Sequence, residues 1–515
     1  MSMPRSSKVR NAVIATGVAL VLGVGGAIAY KVTHAGPGKE FVTRDGASFM
    51  LDGKTFAFDG TNTYRPMLSG NEIIDKIMAA TADNHFRVLR TWAFNDIGQQ
   101  DGTDSVDKFN TSMYFHYWDG KQPAFNDGED GLQRLDYVIA SASKHHVKLI
   151  MPLVNNWGAF GGMDQYVLWA GLTYHSDFYT DAKVRQWYKD WATHLLNRVN
   201  TVTGVKYKDD PTIMAWELAN EPRCGASGAL KASPDCKTDT ITAWAKEMST
   251  FVRSVDGNHL IGLGDEGFMC DKGATDWTMD CSQGTDPRAI AALPDIDMVG
   301  LHLYPDFWKH DPAWSVDYIN KHLAIGTELK KPVFLGEYGW KDTSTRNAVF
   351  KQWLDAFKAG GGDGANFWMM QPRDKDYTPT DSDGFTVYCP SPVCSQVANS
   401  SVSVGGGGND FAPVADVDAI ATAFGAPVTI DVLKNDVAYA NALDPLTIDL
   451  DPKTAGVQAT VTLPGGTLEV TQHGAVRVTP AAGFSGSIAA TYTVSDTSGK
   501  VSNEVALSVN VAAAG

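Results

Sequence analysis

Two glutamates each follow a short apolar run, at positions where chemistry could take place. Glu221 lies in the segment Ala-Trp-Glu-Leu-Ala-Asn-Glu-Pro-Arg over residues 215–223, and Glu337 lies in Gly-Glu-Tyr-Gly over residues 336–339. A single glutamate is more often a solvated surface charge. Two facing carboxyl groups, one protonated and one ionised, can cleave a glycosidic bond, at about 5–5.5 Å apart when the anomeric configuration is retained. Glu221 and Glu337 therefore form a candidate catalytic pair.

Such a pair needs a scaffold that brings distant segments together. From about residue 40, short β-branched or apolar runs alternate with helix-period segments, which is the pattern of a parallel α/β fold. Eight runs can be counted: Thr55 to Gly60, Phe86 to Thr91, Val147 to Val154, Thr212 to Glu217, His259 to Gly264, Asp297 to Leu303, Pro332 to Glu337 and Gly364 to Trp368. Eight β/α units favour a (β/α)8 TIM barrel, with its active site at the C-terminal ends of the strands. A doubly wound open sheet is the alternative.

Around these residues the chain resembles glycoside hydrolase family 5, more narrowly its endo-β-1,4-mannanase branch, over about residues 40 to 370. The segments that carry the resemblance are Arg87-Val-Leu-Arg-Thr-Trp-Ala-Phe-Asn-Asp96, Val154-Asn-Asn-Trp-Gly-Ala-Phe-Gly-Gly162, Trp216-Glu-Leu-Ala-Asn-Glu-Pro-Arg-Cys224, Leu263-Gly-Asp-Glu-Gly267, Leu301-His-Leu-Tyr-Pro-Asp306 and Phe367-Trp368. The resemblance implies that Glu221 is the acid/base and Glu337 the nucleophile. It implies supporting roles for further residues: Arg90 and Tyr304 beside the nucleophile, His302 near the acid/base, Asn220 at the sugar's 2-hydroxyl, and Trp368 under the sugar at the cleaved bond.

These roles agree with elementary electrostatics. Arg90 and Tyr304 would keep Glu337 ionised, whereas repulsion from that anion would raise the pKa of Glu221. His302 and Tyr304 alternate on one predicted strand, which places both on its interior face. The alternatives are a structural salt bridge for Arg90 and a hydrogen-bonded core pair for His302 and Tyr304.

Other residues after the predicted strands are candidates for contacts with sugar. Four tryptophans are expected either to stack on sugar rings or to pack within loops: Trp92, Trp157, Trp308 and Trp340. Three polar residues are candidates for binding hydroxyl groups: Asn155, Asn156 and Glu266. Fungal relatives often carry Phe-Trp-Gln-Trp at the eighth strand, whereas this chain has Phe-Trp-Met-Met over residues 367–370. The second tryptophan of that pattern, and the distal contact it would make, is missing.

Export is indicated by the cysteines and by the N-terminal segment. The six cysteines are expected to form local disulfides, pairing Cys224 with Cys236, Cys270 with Cys281, and Cys389 with Cys394. Spacing alone supports this pairing, since six cysteines allow 15 connectivities. Residues 1–35, with basic residues before an apolar run over 12–29, are predicted to be a signal peptide or a signal anchor. We expect a secreted or periplasmic protein, or one anchored outside the cytoplasmic membrane.

The composition changes after Cys394. We predict a catalytic domain over residues 40–396, a flexible Gly/Ser linker over 397–410, and an Ig-like or cadherin-like β-sandwich over 411–515. The last segment contains alternating runs such as Val428 to Val432 and has no tryptophan. Its acidic residues are expected to be solvated turn acids rather than calcium ligands: Asp416, Asp418, Asp436 and Asp496.

Composition limits the possible partners. A formal net charge of −16 disfavours nucleic acid and anionic lipid, whereas 14 Trp and 17 Tyr suit sugar rings. We predict a monomeric retaining endo-β-1,4-mannanase without cofactor or metal, acting on β-mannan or manno-oligosaccharides. A β-1,4-glucanase or an exo-β-mannosidase would keep the same catalytic pair. The alternative from another class is a non-catalytic, carbohydrate-binding surface protein.

Overall fold

The computed structural model describes residues 38–225, 229–373, 383–471 and 474–514. Residues 1–35, predicted to be a signal peptide or anchor, lie outside this range. Within it, every helix is too short or too polar to cross a bilayer.

Eight parallel strands form one sheet, and each lies within or overlaps one of the predicted runs. They are β1 (Phe58–Asn62), β2 (Val88–Arg90), β3 (Lys148–Pro152), β4 (Ile213–Glu217), β5 (Leu260–Gly262), β6 (Val299–Leu303), β7 (Val333–Tyr338) and β8 (Gly364–Phe367). The strand order is β5-β4-β3-β2-β1-β8-β7-β6, so the last strand pairs with the first. The gap between β5 and β6 is bridged where Asp297 N–H donates to the carbonyl of Ile261 at 2.8 Å. The TIM barrel is thus confirmed, and the doubly wound alternative is wrong.

Helices cover the outside of the barrel. They are α1 (Asn71–Asp83), α2 (Leu132–Lys144), α3 (Ala182–Asn197), α4 (Thr238–Val255), α5 (Pro287–Ala291), α6 (Pro312–Leu329) and α7 (Arg346–Ala359). Their apolar faces are buried against the strands, as Leu135, Val138 and Ile139 of α2 show. Side-chain caps fix two of the starting points: Asp181 accepts from Val184 N–H at α3, and Asp311 accepts from Trp314 N–H at α6. Shorter helices lie in the loops: Arg65–Leu68, Gly162–Trp169, Asp177–Thr180 and Pro305–Trp308.

An apolar cluster fills the N-terminal end of the barrel. A three-stranded antiparallel sheet (Thr43–Asp45, Ser48–Leu51 and Lys54–Thr55) precedes β1 and brings Phe49 against Phe58 at 5.9 Å between ring centroids. Phe58 in turn contacts Phe334 at 6.2 Å. Apolar side chains thus fill this end of the barrel, and the polar residues of the cavity lie at the opposite, C-terminal end.

Three disulfides confirm the predicted pairing. They join Cys224 to Cys236, Cys270 to Cys281, and Cys389 to Cys394. The first two lie in the loops that follow β4 and β5, whereas the third joins the strand Val387–Cys389, after β8, to the helix over Pro392–Val402. Two short strand pairs also lie outside the barrel sheet: the antiparallel pair of His116–Trp118 with Pro123–Phe125, and the parallel pair of Met370–Pro372 with Val387–Cys389.

The structure differs from the flexible linker expected over residues 397–410. Helix α8 (Pro392–Val402) occupies the first part and continues as a helical turn over Ser403–Gly407. Ser391 caps its start, Val397 is fully buried, and the Ser401 hydroxyl donates to the carbonyl of His85 at 2.7 Å. The helix forms although most of its residues are small and polar, because Ser391 caps its start and its apolar face is buried.

The C-terminal segment folds as two four-stranded sheets. The sheets contain β9 (Asp418–Thr422), β10 (Val428–Ile430), β11 (Leu443–Asp449), β12 (Thr460–Leu463), β13 (Gly466–Val470), β14 (Val476–Pro480), β15 (Gly486–Asp496) and β16 (Val505–Val511). The hydroxyl of the buried Tyr492 lies 2.9 Å from Asp418 Oδ2 and 3.0 Å from Asp436 Oδ1. Asp496 is a turn acid that accepts from Ser498 N–H at 2.9 Å. All four acids, Asp416, Asp418, Asp436 and Asp496, are at most 8% exposed, so the expectation that they are solvated is wrong.

Candidate active site

A cavity of about 510 Å³ opens at the C-terminal end of the barrel. Its lining is aromatic and acidic, which suits a neutral ligand with flat apolar faces and many hydroxyl groups. The lining includes Tyr64, Trp92, Asn155, Trp157, Phe160, Asn220, Glu221, Arg223, Glu266, Trp277, Tyr304, Phe307, Trp308, Glu337, Trp368, Asp383 and Phe385.

Glu221 and Glu337 face each other in this cavity. A carboxylate oxygen of one lies within 4.8 Å of a carboxylate oxygen of the other. Glu337 belongs to β7, whereas Glu221 follows β4 and has a backbone φ of +52°. This sparsely populated conformation is held by a 2.7 Å hydrogen bond from Glu221 N–H to the carbonyl of Gly264. The separation fits direct attack by one carboxylate while the other transfers a proton.

Glu337 is held by two donors. Arg90 Nη1 lies 2.6 Å from Oε1, and the Tyr304 hydroxyl donates to Oε2 at 2.5 Å. Both carboxylate oxygens are thus fixed, which aims the side chain. The structure places Arg90 and Tyr304 where the resemblance implies.

Arg90 has further partners at the base of the cavity. Its Nε donates to Glu217 Oε2 at 2.7 Å, and its Nη2 donates to Asn220 Oδ1 at 2.9 Å. Asn220 also donates to Asn155 Oδ1 at 3.0 Å. Glu217 was not among the predicted site residues, although it ends the fourth run and a buried arginine between strands requires a counterion.

Glu221 is held by His302 and Trp157. His302 Nδ1 lies 2.7 Å from Oε1, and the Trp157 indole N–H donates to Oε2 at 2.5 Å. His302 Nδ1 is also 3.7 Å from Glu337 Oε1. The imidazole therefore lies between the two carboxylates.

The pKa shifts of the two glutamates differ from the expected ones. Burial would raise the pKa of Glu221, but the hydrogen bond and charge of His302 hold it below its usual range. Burial opposes protonation of His302, yet Glu337 and Glu221 raise its pKa. Burial also raises the pKa of Glu337, and the charge of Glu221 adds to this, although His302, Arg90 and Tyr304 oppose it. These directions favour protonation of His302 over Glu221, because the imidazole is close to both carboxylates.

The same trio is the one metal-ligand cluster among the described residues. Donor atoms of Glu221, His302 and Glu337 converge within 4.8 Å. Arg90 and Tyr304 already occupy both oxygens of Glu337, and the guanidinium charge repels a cation. The chemistry of this trio therefore fits proton transfer better than metal binding.

Trp368 lies on one wall of the cavity with its indole fixed. Its ring stacks on Trp92 at 5.6 Å between centroids, with 28° between the planes. Its Nε1–H donates to Asp383 Oδ2 at 2.8 Å. Trp92 is only 4% exposed, so it supports Trp368 from behind and offers little surface to a ligand.

Glu266 lies at the cavity wall in an ion pair. Both of its carboxylate oxygens accept from Arg223, whose guanidinium lies 5.0 Å from the ring centroid of Trp157 and 4.7 Å from that of Phe268. Burial raises the pKa of Glu266 to about 8, although Arg223 opposes the shift. Glu266 therefore lines the cavity as predicted, but with its oxygens already bound.

Two predicted contacts lie elsewhere. Asn156 is 1% exposed, and its Oδ1 accepts from His175 Nε2 at 2.9 Å and from Arg223 N–H at 3.1 Å. The neighbouring Asn155 lines the cavity instead, because successive side chains here point in opposite directions. Trp340 packs against Trp353 and donates to Thr345 Oγ1 at 2.9 Å, outside the cavity.

Several lining residues were missed. They are Tyr64, Phe160, Arg223, Trp277, Phe307, Asp383 and Phe385. Arg223 follows Glu221 and Pro222 directly, so its position was a usable signal. The others lie in loops whose course depends on tertiary contacts.

Comparisons with known proteins agree with this geometry. A profile of GH family 5 beta-mannosidase-like proteins matches residues 39–368, and one of bacterial Ig domains matches residues 409–510. The chain is 35% identical over 357 residues to a probable mannan endo-1,4-beta-mannosidase A of Aspergillus flavus, which covers 69% of this chain and 85% of the relative. It is 39% identical to the endo-1,4-beta-mannanase of Rhizomucor miehei, with a TM-score of 0.66 over 71% of this chain and 99% of that one. An endo-beta-1,4-mannanase of Thermotoga petrophila is 29% identical, with a TM-score of 0.67 over 90% of this chain and 99% of that one.

Proposed function

Since the chain belongs to the GH family 5 beta-mannosidase-like proteins, we propose that it is a retaining endo-β-1,4-mannanase with Glu337 as nucleophile and Glu221 as acid/base. The observation that carries the proposal is the closeness of the two carboxylates, within 4.8 Å and with different partners. Arg90 and Tyr304 orient Glu337, while His302 supplies Glu221 with a proton source at 2.7 Å.

In the first step, the Glu337 carboxylate attacks the anomeric carbon and the bond to the leaving oxygen breaks. Glu221 gives its proton to that oxygen, so the leaving chain departs as an alcohol. The proton that rests on His302 reaches Glu221 along their hydrogen bond. A covalent ester joins the sugar to Glu337.

In the second step, water attacks the same carbon while Glu221 takes the water's proton. Ester formation removes the charge of Glu337, which lowers the pKa of Glu221 and makes it ready to act as base. Breaking the ester restores the Glu337 carboxylate. Two inversions leave the product in the β configuration.

The remaining parts of the chain support this action. Trp368, stacked on Trp92 and tied to Asp383, provides the floor under the sugar at the cleaved bond. Asn220, oriented by Arg90 and Asn155, binds the 2-hydroxyl of that sugar. Three disulfides and the N-terminal segment support export, with β-mannan outside the cell as substrate.

Product analysis tests the proposal. The protein is incubated with mannohexaose and, in parallel, with cellohexaose, and the products are separated by length. Internal cleavage of mannohexaose to di-, tri- and tetrasaccharides is expected. Preferred cleavage of cellohexaose would identify a glucanase, release of mannose alone would identify an exo-mannosidase, and absence of products from both would favour the carbohydrate-binding alternative.

A further inference from the structure

One exposed aromatic side chain at the cavity has no part in the proposed chemistry. Phe307 is 57% exposed, yet it lines the same cavity as Glu221 and Glu337. Single exposed apolar side chains are common on protein surfaces and need no special explanation. Phe307 differs from them because its ring is held in place by neighbouring groups.

Two side chains hold the Phe307 ring. The ring of Phe385 lies 5.2 Å away at 68°, and Nζ of Lys341 lies 4.2 Å from the Phe307 centroid and 5.0 Å from that of Phe385. Lys341 N–H also donates to Asp306 Oδ2 at 2.7 Å, beside Phe307 in the sequence. We call Phe307, Lys341 and Phe385 the rim patch.

Arg346 fixes the backbone on both sides of the rim patch. This arginine is 4% exposed and donates to the carbonyl oxygens of Lys341 at 3.2 Å, Gly384 at 2.6 Å and Thr386 at 3.1 Å. The loops after β7 and β8 are thereby tied to the start of α7. A surface fixed before binding loses little conformational entropy when a ligand arrives.

The rim patch continues directly from the catalytic centre. Phe385 contacts the ring of Tyr304 at 5.1 Å, and the Tyr304 hydroxyl donates to Glu337 at 2.5 Å. Phe307 is thus connected to Glu337 through two side chains: its ring contacts Phe385, and Phe385 contacts Tyr304. A saccharide chain that passes through the cavity can place a neighbouring unit there.

We propose that the rim patch binds one further hexopyranose unit of the polysaccharide. The apolar face of the sugar stacks on Phe307, and its hydroxyl groups bind the Lys341 ammonium. This unit lies beyond the one over Trp368, and its binding favours long chains. The inference rests on the proposed function, because the ligand is the substrate of that reaction.

The test measures kcat/KM for an aryl β-mannoside with one mannose unit, and for mannotriose, mannotetraose, mannopentaose and mannohexaose, with four proteins: wild type, F307A, F307W and F109A. Phe109 is 94% exposed in the loop after β2 and is absent from the lining of the cavity, so F109A is a matched control for loss of an exposed ring. F307A is expected to lower kcat/KM about fivefold on mannohexaose and to leave the aryl β-mannoside unchanged, because its single sugar lies over Trp368 and does not reach the rim patch. F307W should keep the wild-type length dependence, and F109A should match wild type at every length.

Two results would overturn the inference. One is an F307A variant with wild-type kinetics on every substrate. The other is an F307A variant that loses the same factor on the aryl β-mannoside as on mannohexaose, as a structural effect on Tyr304 and Glu337 would produce. A wild-type protein that cleaves none of the four oligosaccharides would refute the proposed function instead, and the rim patch would lose its ligand with it.

Discussion

His302 Nδ1 lies 2.7 Å from Oε1 of Glu221 and 3.7 Å from Oε1 of Glu337. This position lets one imidazole hold the proton that the reaction needs while both carboxylates stay close together. When two linked groups share one proton, the proton dissociates from the pair at a higher pH than it would from either group alone. We therefore expect the His302–Glu221 unit, with its raised histidine pKa, to set the alkaline limit of activity.

Replacing His302 by asparagine should move that limit to lower pH, because one of the two proton-binding groups is gone. We also expect kcat at the new optimum to fall by about 10²-fold, since the supply of the proton is impaired. The pH profile of kcat/KM measures the shift. H194N, at a partly exposed histidine paired with Asp127, is the control and should keep the wild-type profile. An unchanged alkaline limb in H302N would remove the histidine from proton transfer.

Azide distinguishes the roles of the two glutamates. In E337A, azide enters the space left by the nucleophile and attacks an aryl β-mannobioside with a good leaving group, which gives the α-azide by one inversion. In E221A, Glu337 still forms the ester, and azide then attacks from the other face and gives the β-azide. The anomer of each product is read by NMR. The same anomer from both variants would contradict the assignment.

Glu217 should support the nucleophile through Arg90. E217Q leaves the buried guanidinium without one of its two carboxylate partners, at a cost of about 3 kcal/mol in the free energy of unfolding. The unshared charge of Arg90 also lowers the pKa of Glu337, which weakens it as nucleophile and reduces kcat. Denaturant titration and kinetics measure both effects. E247Q, at a partly exposed glutamate paired with Arg185 and Lys189, should cost less than about 1 kcal/mol and leave kcat unchanged. Equal losses in the two variants would argue against this role.

Most strands of the barrel were predictable because they are buried, apolar runs, and Glu221 and Glu337 were found by their place at strand ends. Strand β1 (Phe58–Asn62) is buried but largely polar, so the predicted run over Thr55 to Gly60 began three residues too early. Partners such as Glu217 and Asp383 were harder to find, since their roles depend on contacts between distant segments: Arg90 across the barrel and Trp368 on another loop. Asn156 was misplaced because sequence adjacency to Asn155 does not tell which of the two faces the cavity. Helix α8 was missed because its composition is that of a linker, whereas Val393 and Val397 bury one face of it. The expected pKa shifts were wrong in direction: the pKa of Glu221 is lowered and that of Glu337 is raised. This could not be predicted from the sequence, because it depends on the distances from His302 to both carboxylates.

The C-terminal sandwich should lose stability as the pH rises. Burial raises the pKa of Asp436 to about 8 and that of Asp418 to about 7. The folded state therefore keeps protons that the unfolded state releases near pH 4, so the sandwich loses stability from about pH 4 to about pH 8. D436N should reduce this loss, and calorimetry at pH 5 and pH 9 measures it. E469Q, at an exposed position of the same segment, is the control. Equal pH dependence in wild type and D436N would show that Asp436 is not the source.

The central claim is that Glu337 attacks the sugar directly, because an oxygen of Glu221 and an oxygen of Glu337 lie within 4.8 Å of each other, which fits the spacing of about 5–5.5 Å in retaining enzymes and not that of about 6.5–9.5 Å in inverting ones. Proton NMR of manno-oligosaccharide hydrolysis, recorded within the first minutes and before mutarotation, tests it most directly. The double displacement predicts that the β anomer of the new reducing end appears first and decays toward equilibrium. Initial release of the α anomer would mean single inversion by water and would contradict the account.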